Sequence, residues 1–251
     1  MLNEISKGKI GKFSLLRHKK QREEFGLFMV QGHKGVADTL KTFDPVAVIV
    51  RKDTDVEFEL RNGLPIFLAT DTDIKKITTL ETLPDVIAVY KIPKNSDANE
   101  ILNKNHYYLL LDGIQDPGNL GTIIRTAHWF GIEKIFCSRE TVDCYNPKVV
   151  QSSMGSLGKV KIIYTDLEEL IEKNPEMPVF GLQLKGENIF DAKDIKAGII
   201  IMGNEGNGLS ESIKKRVTRS LTIPPKHPFD HPESLNVSTA TAITLACLTQ
   251  K

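Results

Sequence analysis

Short apolar runs recur along the chain and alternate with stretches that carry helical spacing or capping residues. In the first third the runs are Phe28 to Val30, Val46 to Val50, Pro65 to Leu68 and Val86 to Tyr90, with Gly35 to Phe43 and Asp71 to Leu80 between them. β-Branched and aromatic runs bounded by turn formers predict strands, and their alternation with helical segments predicts an α/β domain. The polar stretch Pro93-Lys94-Asn95-Ser96-Asp97-Ala98-Asn99 closes it. The chain therefore divides into a domain at 1–92, a linker at 93–104 and a second domain at 105–251. The second domain opens on Tyr107 to Asp112, an almost wholly apolar run that suits a strand buried on both faces. Further strands are expected at Lys134 to Cys137, Val160 to Tyr164, Val179 to Leu184, Ile199 to Met202 and Leu221 to Ile223. Amphipathic helices are expected at Leu120 to Phe130, Asp166 to Lys173 and Ser210 to Val217, and one largely buried helix at Leu235 to Leu248. This pattern gives a mostly parallel sheet flanked by helices.

Composition narrows the function classes. With 251 residues, 40% hydrophobic and 26% charged, the chain has the makings of a folded protein of one or two domains. No apolar run approaches the ~18 residues that span a bilayer. The start, MLNEISKGKIGKF, lacks the apolar core and small-residue cleavage site of a secretory signal. Cys137, Cys144 and Cys247 are too few and too scattered for a disulfide framework or a four-ligand zinc site, so a reducing cytoplasm is expected. The net charge of +1 gives no sign of a polyanionic partner. Locally the picture changes: Lys7, Lys9, Lys12, Arg17, Lys19, Lys20 and Arg22 are seven cations with no acid among residues 7–22. Such a cluster can release counterions from a phosphate backbone, although a solvated face has the same composition.

Chemistry-bearing residues gather in three clusters, each where a strand ends, the place where open α/β sheets bind ligands. The first runs from Asp112 to Thr126 and has the form D-x-x-x-D-P-x-N-x-G-x-x-x-R. Asn119 suits a helix cap there, and Arg125 lies six residues further on. A plain turn, cap and surface arginine would account for all of it. The second runs from Ile201 to Ser210 as G-x-x-G-x-G, with Glu205 inside the glycine-rich loop. Its glycines permit positive φ angles and close approach of a ligand. A dinucleotide fingerprint needs G-x-G-x-x-G, so a nicotinamide cofactor is disfavoured, and no G-x-x-x-x-G-K-[ST] phosphate loop is present. Glu205 could also serve only to hold the turn by accepting backbone N–H bonds. The third is Ile223-Pro224-Pro225 followed by Glu233 to Ser238. Ser234 is an expected N-cap of the last helix, whereas Asn236 needs partners if buried.

In their order and content these clusters resemble the SpoU/TrmH branch of the SPOUT methyltransferases. Residues 7–34, through Leu15-Leu16-Arg17-His18-Lys19-Lys20-Gln21-Arg22 and Phe25 to Lys34, are similar to the substrate-binding domain often attached to that branch, with Gln31 where relatives commonly have glutamate. The resemblance implies transfer of a methyl group from S-adenosylmethionine to a ribose 2′-hydroxyl in structured RNA, ribosomal RNA before transfer RNA. It implies an α/β RNA-binding domain, an α/β SPOUT domain with a trefoil knot, and a homodimer with neither metal nor membrane as partner. Asn119, Arg125, Glu205, Ser234 and Asn236 match the family's active-site set. Gly203, Ile223 and Leu235 match positions whose backbone holds the adenosylmethionine, with Met202 and Gly208 beside them. Lys9, Lys12, Arg17, Lys19, Lys20, Arg22 and Lys34 become the expected RNA contacts.

Arginine is a poor base because its pKa exceeds ~12. Arg125 is therefore expected to anchor a phosphate and orient the ribose, with a phosphate oxygen placed to take the proton. The loop Pro225 to Glu233 is a few residues longer than the family's usual one and contains His227 and His231. In a proline-broken loop that spacing cannot put both rings on one helical face, which disfavours a metal site. Methylation of a base atom, or RNA binding without catalysis on the same fold, are the alternative readings.

Overall fold

The computed structural model describes residues 3–54, 63–93, 101–227 and 230–250. Part of the expected linker, 94–100, and Pro228 and Phe229 of the long loop lie outside the described residues. The chain forms two compact units, one made of 1–94 with 143–158, the other of 95–142 with 159–251.

In the first unit the elements are β1 (Asn3–Glu4), α1 (Lys7–Ser14), α2 (Lys19–Phe25), β2 (Leu27–Gln31), α3 (His33–Thr39), β3 (Pro45–Arg51), β4 (Ile66–Ala69), α4 (Asp71–Ile77) and β5 (Val86–Lys91). The sheet has the order β1-β4-β3-β5-β2, with β5 antiparallel to both its neighbours. Side chains alternate across it as the pleat requires. Leu27, Met29, Ile49, Ile87 and Val89 form one core with Ile10 and Phe13 of α1 and Ile74 and Ile77 of α4. The intervening residues Phe28, Val48, Ala88 and Tyr90 are buried as well. Around Phe28 the rings of Phe43, Tyr90 and Tyr145 lie 5.0, 5.5 and 4.7 Å away.

Tyr145 belongs to the returning segment 143–158, whose helix α6 (Pro147–Ser152) contacts β2. The seat is tight. A Cβ on Gly155 would come within 2.7 Å of Asp38, and one on Gly158 within 2.8 Å of Thr42.

The basic segment folds into α1 and α2. Its cations are not equivalent. Lys9 lies over the Phe67 ring and Lys12 over the Phe25 ring, each at 5.1 Å, and Lys19 is 3.8 Å from Glu23. Arg17 is exposed but donates to the Lys76 and Ser14 carbonyls. Lys20 and Lys34 are exposed. Arg22 departs from the sequence-based expectation, because its residue is only 2% exposed. Its Nε and Nη2 donate to Asp143 Oδ2 at 3.0 and 2.6 Å, and its Nη1 donates to the carbonyls of Leu16 and Arg17. A guanidinium buried and bonded in this way is not available to an RNA phosphate.

In the second unit β6 (Tyr107–Asp112), α5 (Pro117–Trp129), β7 (Lys134–Cys137) and β8 (Lys161–Tyr164) are followed by α7 (Leu167–Glu172), β9 (Val179–Asn188), β10 (Gly198–Gly203), α8 (Glu211–Lys214), β11 (Arg219–Thr222) and α9 (Val237–Thr249). The sheet order is β11-β9-β10-β6-β7-β8, and every pairing is parallel. Tyr108, Leu110, Ile199 and Ile201 form a core with Leu167, Leu170 and Ile213. Leu109, Leu111, Ile200 and Met202, which alternate with them, are also buried, and α9 contacts both β10 and α5. Both faces are covered, as the unbroken apolar strands require.

Strand β9 runs four residues past the expected Leu184. After a register shift between Ser220 and Leu221, Glu187 and Asn188 pair with Leu221 and Thr222. The last helix begins at Val237, two residues later than expected, and it is only partly covered: Thr241, Thr244, Leu245 and Leu248 are buried, while Thr239 and Ala246 are exposed.

Candidate active site

Because the second sheet is parallel throughout, the carboxyl ends of its strands share one edge. Gly203 at the end of β10 pairs directly with Asp112 at the end of β6, so the loops that follow them are neighbours. All three sequence clusters emerge from this edge.

Gly113 turns the chain out of β6 at φ +75, a conformation that favours glycine, and its N–H donates to Ser138 Oγ at 3.0 Å. Asp112 Oδ2 accepts from the backbone N–H of Ser210 at 2.7 Å, tying the start of the first loop to the end of the second. The expected cap changes here. Asp116, not Asn119, is the N-cap of α5: it accepts from Asn119 N at 2.8 Å, with Pro117 at the first helical position. An aspartate two places before the glycine provides the same capping oxygen one turn earlier, which leaves the Asn119 side chain free for contacts outside the helix.

Those contacts join the three clusters. Asn119 Nδ2 donates to Glu205 Oε1 at 3.0 Å, and Asn119 Oδ1 accepts from Asn236 Nδ2 at 2.9 Å. Glu205 Oε2 is 3.5 Å from the backbone N–H of Gln115. Glu205 does not hold its own turn. That role falls to Asn204, whose Oδ1 accepts from Gly206 N and Asn207 N, both at 3.0 Å.

Asn236 is the N-cap of α9, its Oδ1 accepting from Ser238 N and Thr239 N. Ser234, the residue expected to cap, is exposed in the preceding loop and makes no hydrogen bond among the described residues. Asn236 is exposed, so it does not need Asn119 for burial. The capping geometry fixes its oxygen inward and therefore aims its amide nitrogen at Asn119.

Arg125 stands on α5, exposed, and forms no hydrogen bond or ion pair among the described residues. The structure thus brings Asn119, Glu205 and Asn236 into one hydrogen-bonded chain and leaves Arg125 and Ser234 outside it. Of the residues expected to hold a cofactor, Met202 is buried and Gly203 and Ile223 are half-buried, while Gly208 and Leu235 are exposed.

The glycines of the loop have different causes. A Cβ on Gly203 would fall 2.3 Å from the Gly208 carbonyl carbon, so this residue is required by the loop folding back on itself. Gly208 adopts φ +67 and has open space where a Cβ would stand, and Gly206 is nearly as open. Backbone at those positions is accessible to a ligand. Asp112, Asp116, Ser138 and Asn204 are the positioning groups that sequence reasoning did not single out; three of the four lie within or beside the quoted motifs.

A cavity of about 560 Å³ lies at the other end of the sheet, lined by Lys104, Phe180, Lys196 and Arg219 among others. Its most basic group is already neutralised, since Arg219 is bonded to both Glu187 and Asp194, which raise its pKa. Among the described residues no group of three or more His, Cys, Asp or Glu could hold a metal ion, and no helix is long and apolar enough to cross a membrane.

A parallel sheet with glycine-bearing loops and a polar relay at the carboxyl ends of β6 and β10 defines a ligand-binding α/β domain. The SpoU rRNA Methylase family profile matches residues 106–246, and the chain belongs to that family. The MRM3-like substrate binding domain profile matches residues 7–88.

Among relatives, the chain is 28% identical to the 23S rRNA (guanosine(2553)-2′-O)-methyltransferase RlmP of Bacillus subtilis, over 94% of this chain and 93% of that one. A solved structure of a protein assigned to the TrmH family of RNA methyltransferases, from Porphyromonas gingivalis, superposes with a TM-score of 0.86 at 30% identity, covering 98% of each chain. An AdoMet-bound rRNA methyltransferase from Sinorhizobium meliloti superposes with a TM-score of 0.84 at 25% identity, covering 99% of this chain and 97% of that one.

Proposed function

We propose that this protein transfers the methyl group of S-adenosylmethionine to the ribose 2′-hydroxyl of a guanosine in large-subunit ribosomal RNA. The observation that carries this reading is the relay Glu205–Asn119–Asn236, which joins the three family motifs at one sheet edge. Similarity to RlmP over nearly the whole chain supports ribosomal RNA as the substrate. The functional division is a substrate-binding domain at 1–92, a linker at 93–104 and a knotted catalytic domain at 105–251, in line with the two family matches. With that substrate we propose a cytoplasmic location.

The residues present fit adenosylmethionine: open backbone at Gly206 and Gly208 and the half-exposed Leu235 offer polar and apolar contact. When bound, its sulfonium supplies an electrophilic methyl, so the S–CH3 bond breaks as the O–CH3 bond forms. The protein's own task is alignment and removal of the hydroxyl proton. Arg125, with no partner among the described residues, holds a phosphate next to the reacting ribose, and an oxygen of that phosphate takes the proton. Asn119, oriented at both ends of its amide, positions the hydroxyl. Ser234 meets the substrate from the loop before α9.

The test is direct. Purified protein with adenosylmethionine should methylate a single ribose in large-subunit RNA from cells lacking it, mapped by 2′-O-methyl-sensitive primer extension. Methylation of a base, or none while RNA still binds, would support the base-directed or non-catalytic alternative.

We also propose a homodimer. Trp129, at the end of α5, is 83% exposed and Leu235 48%, beside the partly covered α9. A last helix that is only partly covered, with exposed apolar side chains at both ends of the helix pair, favours a protein partner. Light scattering at micromolar protein should give about twice the 28.0 kDa chain mass, and a monomer would remove the interface.

A further inference from the structure

We infer that Asn204 is a positioning residue for methyl transfer, acting through Glu205; the inference rests on the function proposed above. Three side-chain hydrogen bonds converge on it. Asn204 Nδ2 donates across to the carbonyl of Gly113, in the loop after β6, at 2.7 Å, while its Oδ1 accepts from Gly206 N and Asn207 N in its own loop. Its backbone exchanges both hydrogen bonds with Gly208, each at 2.9 Å. One amide therefore closes the glycine-rich turn and ties it to the neighbouring loop.

The neighbouring loop is prepared to receive it. Gly113 is held by Ser138 through its N–H, which leaves its carbonyl directed at Asn204. A Cβ on Gly113 would stand only 3.8 Å from Asn204 Cβ, so the two loops run side by side at this point. Glu205 is the next residue, and the direction of its carboxylate toward Asn119 is fixed by where Asn204 pins the turn. Loss of the Gly113 bond would let Glu205 move relative to α5, while the Asn204–Gly208 pair and the Ser210–Asp112 bond keep the rest of the loop in place.

Asn204→Asp separates the two functions of the side chain. The carboxylate keeps an oxygen for Gly206 and Asn207, so the turn persists, but it presents an acceptor to the Gly113 carbonyl in place of a donor. Adenosylmethionine affinity should stay within about threefold, whereas kcat should fall about tenfold or more, because the missing interaction is one that matters for alignment in the transition state. Glu205→Gln should lower kcat as well. In the Glu205→Gln background the Asn204 substitution should have little further effect, since residues acting as a unit are not additive.

A full independent loss in the double variant, or a loss of cofactor affinity equal to the loss in kcat, would overturn the assignment. The Asn119 side-chain amide provides a readout that does not depend on turnover: its nuclear magnetic resonance signals should shift both in Asn204→Asp and in Glu205→Gln. Unchanged signals would overturn the coupling even in an active enzyme. A wild-type protein that methylates no ribose would refute the proposed function while this amide measurement still decided whether Asn204 positions Glu205.

Discussion

Arg125→Ala should lower kcat on the order of 10²–10³-fold at saturating RNA and adenosylmethionine, the range seen when one preorganised charge-stabilising donor is removed. Cofactor affinity measured by calorimetry should not change, and neither should folding, because the side chain is exposed on α5 with no hydrogen bond or ion pair to lose among the described residues. Arg125→Lys should recover little. A lysine keeps the charge but not the planar fork that grips phosphate oxygens bidentately. The basic segment makes the opposite demand. Alanine at Lys9, Lys12, Lys19 and Lys20 should weaken RNA binding and flatten its logarithmic salt dependence by roughly 0.7–0.9 for each phosphate that is no longer neutralised. Turnover at saturating RNA should survive those changes. An Arg125→Ala protein with full turnover would make this arginine an ordinary surface residue.

The second large effect is on stability. Asp143→Ala should destabilise the first unit by about 3–5 kcal/mol, because it leaves a buried guanidinium without its counter-charge. The cost arises from Arg22, which is 2% exposed and keeps only its two carbonyl acceptors once the carboxylate is gone. Faster hydrogen exchange of the β2 and β5 amides would report it, since those strands lie in the same unit. Removing the exposed pair Lys19–Glu23 offers a control, at no more than about 1 kcal/mol. A change that small for Asp143→Ala would mean that the buried charge is solvated by another route.

Much of this fold is legible in the sequence because the decisive signals are local. Tyr107–Asp112 is a strand with the bounds its apolar run indicates, since its four central residues are buried on both faces and only the two ends are partly exposed. The other strands fall within a few residues of their apolar runs, apart from β1, a two-residue polar strand that no apolar run marks, and β9, whose extension depends on pairing with β11 across a register shift. The motifs likewise identify the three loops that meet. What the sequence does not show is which of several capping residues is used. Asp116 and Asn119 are both good caps, as are Ser234 and Asn236, and the choice depends on the angle at which each chain enters its helix. Both choices matter for the site. The residue passed over as a cap in α5 is the one whose amide is free to bridge, and the residue used in α9 has its nitrogen directed at that bridge.

Arg22 escapes sequence reasoning for a related reason. Within a run of seven cations nothing local distinguishes the one that turns inward, and its partner lies 121 positions away. Asn204 is hidden beside the more conspicuous Glu205. Its importance comes from one hydrogen bond to a backbone carbonyl in another loop, and a carbonyl leaves no mark in a sequence.

The return of residues 143–158 to the first unit separates the order of synthesis from the order of completion. When residue 94 has been made, every strand of the first sheet is present, yet Phe28 still lacks Tyr145 and Arg22 still lacks Asp143. The chain must first produce β6, α5 and β7, whose own sheet cannot close until β8 and β10 follow. Neither unit can be finished before the other has begun, so the two mature as an interleaved pair. A fragment cut at the polar stretch after Pro93 would carry every strand of the first sheet but not the piece that completes its core. Grafting the first unit onto another chain would then have to carry two separate stretches, so the unit is not portable as one continuous segment.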